Sequence, residues 1–191
     1  MRVAGLLLAA GAGRRFGTPK ALVSLHGKLF VDSTAELLRA AGCEPVVVVL
    51  GAEADEVRAT ASLDGVTVVD NPDWESGMGS SLRTGLHAVG IVDAVVVLPV
   101  DTPGVTVAAL HRLMELAGPK ALARAVYDGV VGHPVLIGSD HFAGVMASAA
   151  GDQGARDYLK ANTVRLVECA DVADGADVDR PEDLRPRNGG A

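Results

Sequence analysis

Apolar residues along this chain gather in short, nearly unbroken runs: Val3 to Ala10, Val46 to Leu50, Val66 to Val69, Ala94 to Val100, Leu122 to Tyr127, Pro134 to Ile137 and Val164 to Val167. Runs this short, without a polar alternation and bounded by turn residues, predict strands buried on both faces. Between them the spacing is helical. Leu29 to Ala41 places Phe30, Leu37 and Leu38 on one side with Gly42 as a stop, and Glu53 to Ser62, Val105 to Leu116, Asp140 to Ala149 and a stretch through Tyr158 and Leu159 read alike. Ser80 is placed to cap another helix running toward His87. The alternation predicts an α/β chain, a Rossmann-like three-layer α/β/α sandwich around a mostly parallel sheet. The closeness of Leu122–Tyr127 to Pro134–Ile137, across Asp128-Gly129, predicts an antiparallel hairpin inserted in that sheet and makes it mixed. One domain over residues 1–184 is expected, with 185–191 a disordered tail.

Composition narrows the classes without naming one. A content of 49% apolar and 21% charged residues suits a water-soluble globular protein. The formal charge of −7 and the 3% of aromatic residues argue against a nucleic-acid binder, which needs a basic face and stacking platforms. No apolar run reaches the length of a membrane span and no cleavable signal precedes the first strand, so a cytoplasmic protein is expected. Cys43 and Cys169 have no nearby Cys or His partner and read as idle thiols.

Charge is distributed unevenly. Five of the 17 Lys and Arg residues, and none of the 24 Asp and Glu residues, fall between Met1 and Val31. There the first apolar run flows into L-A-A-G-A-G-R-R-F-G-T-P-K, where glycines bring main-chain N–H groups close to a ligand and Arg14, Arg15 and Lys20 add charge. Such a loop suits a polyphosphate. The spacing of Gly11, Gly13 and Gly17 is one residue too long for a dinucleotide fingerprint, and Lys20 follows Pro19 rather than sitting in the G-K-[ST] of a P-loop.

The pattern L-A-A-G-x-G-x-R-x-G-x-x-K, carried here by Leu8, Ala9, Ala10, Gly11, Gly13, Arg15, Gly17 and Lys20, resembles the nucleotidyltransferases that attach CMP or GMP to molybdopterin, the molybdenum cofactor cytidylyltransferases in particular. The resemblance implies a nucleotide-diphospho-sugar transferase-like sheet. It also implies that Leu8 to Gly13, including Ala12, together with Arg15 and Lys20, hold the triphosphate of the incoming nucleotide. Ala10 gives A-A-G, as in the cytidylyl enzymes, where the guanylyl enzymes tend to read A-G-G, so CTP is favoured.

Further segments gain roles from the same resemblance. In N-P-D-W-E-S-G-M-G-S-S-L-R, it assigns Asn71, Ser80, Ser81 and Arg83 to the nucleotide; Trp74 is read as packing before stacking. L-P-V-D-T-P ends a strand at Asp101, whose plain reading is a helix cap and whose implied reading is a Mg²⁺ ligand. In D-V-D-R-P-E-D, Asp177 and Asp179 point the same way in extended chain, and the resemblance makes Asp179 first, Asp177 second, the other metal carboxylate. His133 in G-H-P, and Gly154 and Arg156 in G-D-Q-G-A-R, are assigned to the acceptor, with a surface charge the competing view of Arg156.

The expected reaction joins two anions, an acceptor phosphate and a nucleoside triphosphate, with pyrophosphate as leaving group. Arg15, Lys20 and Asp101 are the expected catalytic residues, Mg²⁺ the expected cofactor, and no catalytic base is needed. The implied partners are the triphosphate, a molybdopterin-like acceptor and a molybdoenzyme apoprotein, with neither nucleic acid nor membrane among them. Two rivals stand beside this: a nicotinamide-dependent oxidoreductase similar to the small proteins of this fold that reduce a nicotine-derived pigment, and a non-catalytic chaperone for a pterin cofactor.

Overall fold

The computed structural model describes residues 1–184; the tail expected from Arg185 lies outside them. The chain alternates as the apolar runs require. Strand β1 (Val3–Ala9) leads through a long loop to the two-residue strands β2 (Ser24–Leu25) and β3 (Lys28–Leu29), then to helix α1 (Phe30–Ala40) and β4 (Val46–Leu50). There follow α2 (Ala54–Thr60), β5 (Thr67–Asp70), α3 (Met78–Ala88), β6 (Ala94–Pro99) and α4 (Val107–Met114). The hairpin β7 (Leu122–Tyr127) and β8 (Val130–Gly138) comes next, then α5 (Phe142–Ser148), α6 (Arg156–Ala161) and β9 (Arg165–Glu168).

Seven strands form one sheet in the order β5-β4-β1-β6-β8-β7-β9. All pairings are parallel except those of β8 with β6 and with β7, so β8 alone runs against the rest. The hairpin is therefore inserted as expected, although its second strand starts at Val130, ahead of the apolar run at Pro134. Its turn consists of Asp128 (φ 50°) and Gly129 (φ 83°), both left-handed, the backbone of a two-residue hairpin whose twist matches the strands.

The sheet is covered on both faces, and β1 shows why. Val3, Leu7 and Ala9 join one buried cluster with Val46, Val48, Val96 and Leu98, while Ala4, Leu6 and Leu8 join a second with Val47, Val49, Val95 and Val97. Successive residues point to opposite faces, so a strand that is apolar at every position requires a layer on each side. Helices α1 and α4 close the first face through Phe30, Val31, Leu38, Leu110 and Leu113; α3, α5 and α6 close the second through Leu82, Leu86, Val145 and Leu159. Helix α1 has no side-chain cap. Burying each of its large apolar residues contributes about 1.5–3 kcal/mol, against about 1 kcal/mol for a cap, so packing rather than capping holds it in place.

Two expectations at helix starts are corrected. Ser80 is not a cap: α3 begins two residues earlier at Met78, behind Gly77, and Ser80 lies buried inside it. Nor does Asp101 cap α4, whose first turn is closed by Thr106 Oγ1 accepting from the Ala109 N–H at 3.3 Å.

The start of α3 approaches the segment after α5 so closely that a Cβ on Gly79 would lie 2.7 Å from the Ala150 nitrogen and 2.9 Å from the Ala149 carbonyl carbon. Gly79→Ala gains about 1 kcal/mol of helix propensity but forces backbone apart at a cost of about 1–3 kcal/mol. The steric cost wins: urea unfolding should show a lower midpoint at unchanged slope. A more stable variant would mean that residues 149–150 do not pack on α3.

Candidate functional site

The carboxyl ends of the two central strands meet. Strands β1 and β6 are parallel neighbours with Leu8 opposite Pro99, so the loops leaving them start side by side. The chain builds outward from β1 through β4 to β5 and then returns to the other side at β6. The gap between β1 and β6 is thus a topological switch point, where open α/β sheets bind ligands.

The loop after β1 owes its shape to one residue. Gly13 has φ +58°, and a Cβ there would lie 2.0 Å from the Thr18 carbonyl oxygen. The Gly13 carbonyl in turn accepts from the N–H groups of Phe16 and Gly17 at 2.8 and 3.0 Å. This fold-back delivers Lys20 to a 3₁₀ turn (Lys20–Leu22) beside Asp101, which follows β6.

A third chain segment converges on the same point. Val178 is buried, and its N–H donates to the Asp101 carbonyl at 2.8 Å, pinning the C-terminal stretch against the β6 loop. The next residue is Asp179. Lys20 Nζ donates to Asp101 Oδ2 at 2.6 Å and to Asp179 Oδ1 at 2.6 Å, and Arg15 Nη1 stands 3.9 Å from Asp179 Oδ2. Burial lowers the Lys20 pKa, but hydrogen bonds to the two carboxylates outweigh it and the net direction is upward. The same ammonium draws Asp179 below the usual carboxylate range. Asp177 goes the other way, raised by desolvation and then by the charges of Asp101 and Asp179.

Of these groups Lys20 and Asp101 line a cavity of about 350 Å³. Leu8, Ala10, Gly11, Ala12, Gly13 and Lys20 line it from the loop side, Asp101 from β6. Ala9 does not: it lies on the opposite face, 1% exposed, in the core. Arg15 is exposed at the rim while its neighbour Arg14 reaches the lining. Across the cleft stand Trp74, Met78 and Ser81. Trp74 both packs and lines: a Cβ on Gly51 would lie 2.5 Å from Trp74 Cβ and 2.8 Å from Ala10 Cβ, so the glycine at the end of β4 admits the indole over the sheet.

Other residues assigned to the nucleotide lie behind the wall. Asn71 is 2% exposed and donates to Ser80 Oγ at 2.7 Å and Ser81 Oγ at 2.9 Å, while its own carbonyl oxygen accepts from the Asp73 N–H at 3.0 Å. It ties the Trp74 loop to α3 and does not face the cavity. Arg83 is turned away, its guanidinium donating to the Ala149 carbonyl.

A second cavity, of about 170 Å³, adjoins the first and shares Leu8, Met78 and Asp152 with it. His133, Gly154 and Arg156, the residues assigned to the acceptor, all line it, together with Asp177. Burial drives His133 down to about 4, with Asp101 opposing and Arg124 adding to the shift, so its ring is neutral at pH 7. Arg124 also lines this cavity, a residue to which the sequence reading gives no role. The signal is nonetheless there: it is a lone guanidinium within L-A-R-A-V-Y, where a buried strand seldom carries charge.

Comparison with known proteins places this cleft in context. The model of the MobA-like NTP transferase domain matches residues 5–167. Nicotine blue oxidoreductase of Paenarthrobacter nicotinovorans is 39% identical over 192 residues, spanning 95% of this chain and 94% of that protein. Molybdenum cofactor guanylyltransferase of Cereibacter sphaeroides is 39% identical over 137 residues, 70% of this chain and 67% of the relative. Among solved structures, Rv0371c from Mycobacterium tuberculosis superposes with a TM-score of 0.83 at 33% identity, covering 96% of this chain and 95% of that one. A further structure of Rv0371c, described as a complex with manganese, is 30% identical with a TM-score of 0.75 over 88% of each chain. The matched residues run from β1 to β9, through the whole sheet that carries the cleft, and the chain belongs to the MobA-like NTP transferase family.

Proposed function

We propose that the protein transfers CMP from CTP to the terminal phosphate of a molybdopterin-like acceptor, with release of pyrophosphate. The observation that carries this reading is the meeting of Asp101, Asp179 and Lys20, from three distant parts of the chain, beside the glycine loop. An acceptor phosphate oxygen attacks the α-phosphorus and a new P–O–P linkage forms. The bond from the α-phosphorus to the β-bridging oxygen breaks, and pyrophosphate leaves with that electron pair. Both reactants are anions, so repulsion is the main barrier and fixed positive charge the main remedy.

Each residue then has a task. The N–H groups of Gly11 to Gly13 and the side chains of Arg14, Arg15 and Lys20 hold the triphosphate; in doing so Lys20 exchanges its two carboxylate partners for phosphate oxygens. Asn71 acts indirectly, fixing Ser81 and the Trp74 loop at the cleft wall. The acceptor phosphate is ionised at neutral pH, and the neutral His133 beside it has no proton to remove.

Asp101 and Asp179 fit a divalent cation. Their oxygens already share one cationic partner at 2.6 Å each, and two carboxylates suffice for Mg²⁺, which completes its shell with water and substrate phosphate. Among the described residues no group of three or more His, Cys, Asp or Glu side chains is arranged to hold a metal by itself, so the triphosphate has to complete such a site. Bound there, Mg²⁺ supplies charge neutralisation at the phosphates. Ala10, in the cleft lining, is the basis for favouring CTP. A molybdoenzyme apoprotein is the natural recipient of the product.

One finding favours a second reading. The near full-length relative named nicotine blue oxidoreductase supports an NAD(P)H-dependent reduction in which the same loop holds a dinucleotide pyrophosphate. The two readings part on the acids, since a dinucleotide pyrophosphate beside a hydride transfer has no use for paired carboxylates.

Lys20→Ala and Asp101→Asn should each lower pyrophosphate release from CTP by about 100-fold or more while the circular dichroism spectrum stays that of the wild type. Wild-type turnover in either variant removes that residue from the mechanism. In a thermal-shift panel, CTP with Mg²⁺ at a hundredfold excess over Kd should stabilise the protein by about 2.7 kcal/mol, and NADPH should leave it unchanged. Metal-independent stabilisation by NADPH, with its oxidation, would establish the second reading.

A further inference from the structure

The second cavity is lined by two guanidinium groups as well as by Asp152 and Asp177. Arg124 enters it from the middle of β7 and Arg156 from the first turn of α6. The Nε of Arg124 is buried with no hydrogen-bond partner, and its terminal nitrogen reaches only the Gly132 carbonyl at 3.4 Å, long for such a bond. Among the described residues neither guanidinium forms an ion pair with a carboxylate. Burial, and then the nearby charge of Arg156, disfavour the cationic form of Arg124.

Such an arrangement is costly for folding. A half-buried guanidinium with an unpartnered donor destabilises the strand that carries it, and its neighbours Ala123 and Ala125 are fully at home in the core. Stability alone would favour an apolar residue at position 124. The same lining includes the apolar Leu82, Val97, Val135 and Ile137, with Val135 the cross-strand partner of Arg124 and Val97 the next residue along that row of the sheet. His133, which feels the charges of both Arg124 and Asp101, stays neutral and adds no third charge.

We propose that Arg124 and Arg156 together clamp a phosphomonoester group of the second reactant, with the body of that molecule against the Leu82–Val97–Ile137 wall. Two guanidinium groups match the two charges of a phosphomonoester and its three terminal oxygens. The shared walls Leu8, Met78 and Asp152 put a phosphate held there beside the glycine-loop cleft. The inference rests on the nucleotidyl-transfer reading only for calling its ligand the acceptor.

Isothermal titration with phenyl phosphate, and with benzyl alcohol as its neutral counterpart, tests it on the full chain. The wild type should bind phenyl phosphate saturably and benzyl alcohol not at all. Arg124→Gln and the exposed Arg156→Gln should each weaken phenyl phosphate by about tenfold or more, and Arg39→Gln, whose guanidinium donates to the Asp64 carbonyl and lines neither cavity, by no more than about twofold. Arg124→Gln should melt at or above the wild-type temperature, because it removes an unpartnered buried donor. Equal binding of the neutral compound, undiminished binding in Arg124→Gln or an equal loss in Arg39→Gln would overturn the clamp. So would a lower melting temperature of Arg124→Gln with unchanged affinity, the mark of a structural arginine. Should CTP turnover be absent while phenyl phosphate binding depends on Arg124, the transfer reading fails and the clamp stands; turnover with Arg124-independent binding overturns the clamp and leaves the transfer reading in place.

Discussion

An ammonium held between two carboxylates is the interaction on which the site depends. Lys20 Nζ stands 2.6 Å from an oxygen of Asp101 and 2.6 Å from an oxygen of Asp179, and the three residues come from a loop after β1, a loop after β6 and the last stretch of the described chain. Two carboxylates brought this close repel each other unless a cation or a shared proton stands between them. Lys20 thus solves, with a side chain, the same electrostatic problem that a cation would solve in the proposed reaction. Removing Lys20 would leave the acids repelling each other, which links the binding loop to the C-terminal stretch as well as to the phosphates.

The fold makes that convergence possible through sheet order. Placing β1 and β6 side by side brings two loop origins together at Leu8 and Pro99, and the β1 loop then needs only the fold-back at Gly13 to return Lys20 to the strand ends. The C-terminal stretch needs more. It is held by the Val178 side chain in the core, by the bond from its N–H to the Asp101 carbonyl, and by a further bond from Asp174 N–H to the Gly104 carbonyl at 3.0 Å. A Cβ on Gly104 would lie 2.5 Å from the Asp174 carbonyl oxygen, so this strap depends on backbone lying directly on backbone. Asp179 lies beyond the family match at residues 5–167, which makes the strap the structural reason to count it with the site.

Legibility from sequence follows the strength of the local signal. Buried parallel strands are apolar at every position, and the run Val46–Leu50 coincides with its strand to the residue. The antiparallel β8 is clear only in its buried half, because Val130 and Val131 are exposed and Gly132-His133 looks like a turn. Ser80 resembles a cap because serine before a helical stretch usually is one, yet Asn71 offers it a buried partner inside the helix. Arg83 is legible as a charge and not as a donor to Ala149, a contact 66 residues away that no local pattern encodes. Arg124 escapes for a different reason: it breaks the rule for its strand, and such a break carries no address until the fold shows which cavity it enters.

Charge distribution connects these parts with the chemistry proposed for them. The chain carries a formal charge of −7, and general repulsion of anionic reactants would follow if its basic groups were scattered over the surface. Four of them instead stand where two cavities adjoin: Arg14 and Lys20 in one, Arg124 and Arg156 in the other. A single polyphosphate would be served by the first set alone. The second set, separated from the first by Leu8, Met78 and Asp152 and backed by an apolar wall, makes sense for a second anionic molecule held beside it. Transfer between two phosphate-bearing reactants uses that duplication, and a dinucleotide would use it only through a 2′-phosphate reaching the second set. The placement of Arg124, more than the glycine loop itself, is therefore what marks the second cavity as a place for a second phosphate group.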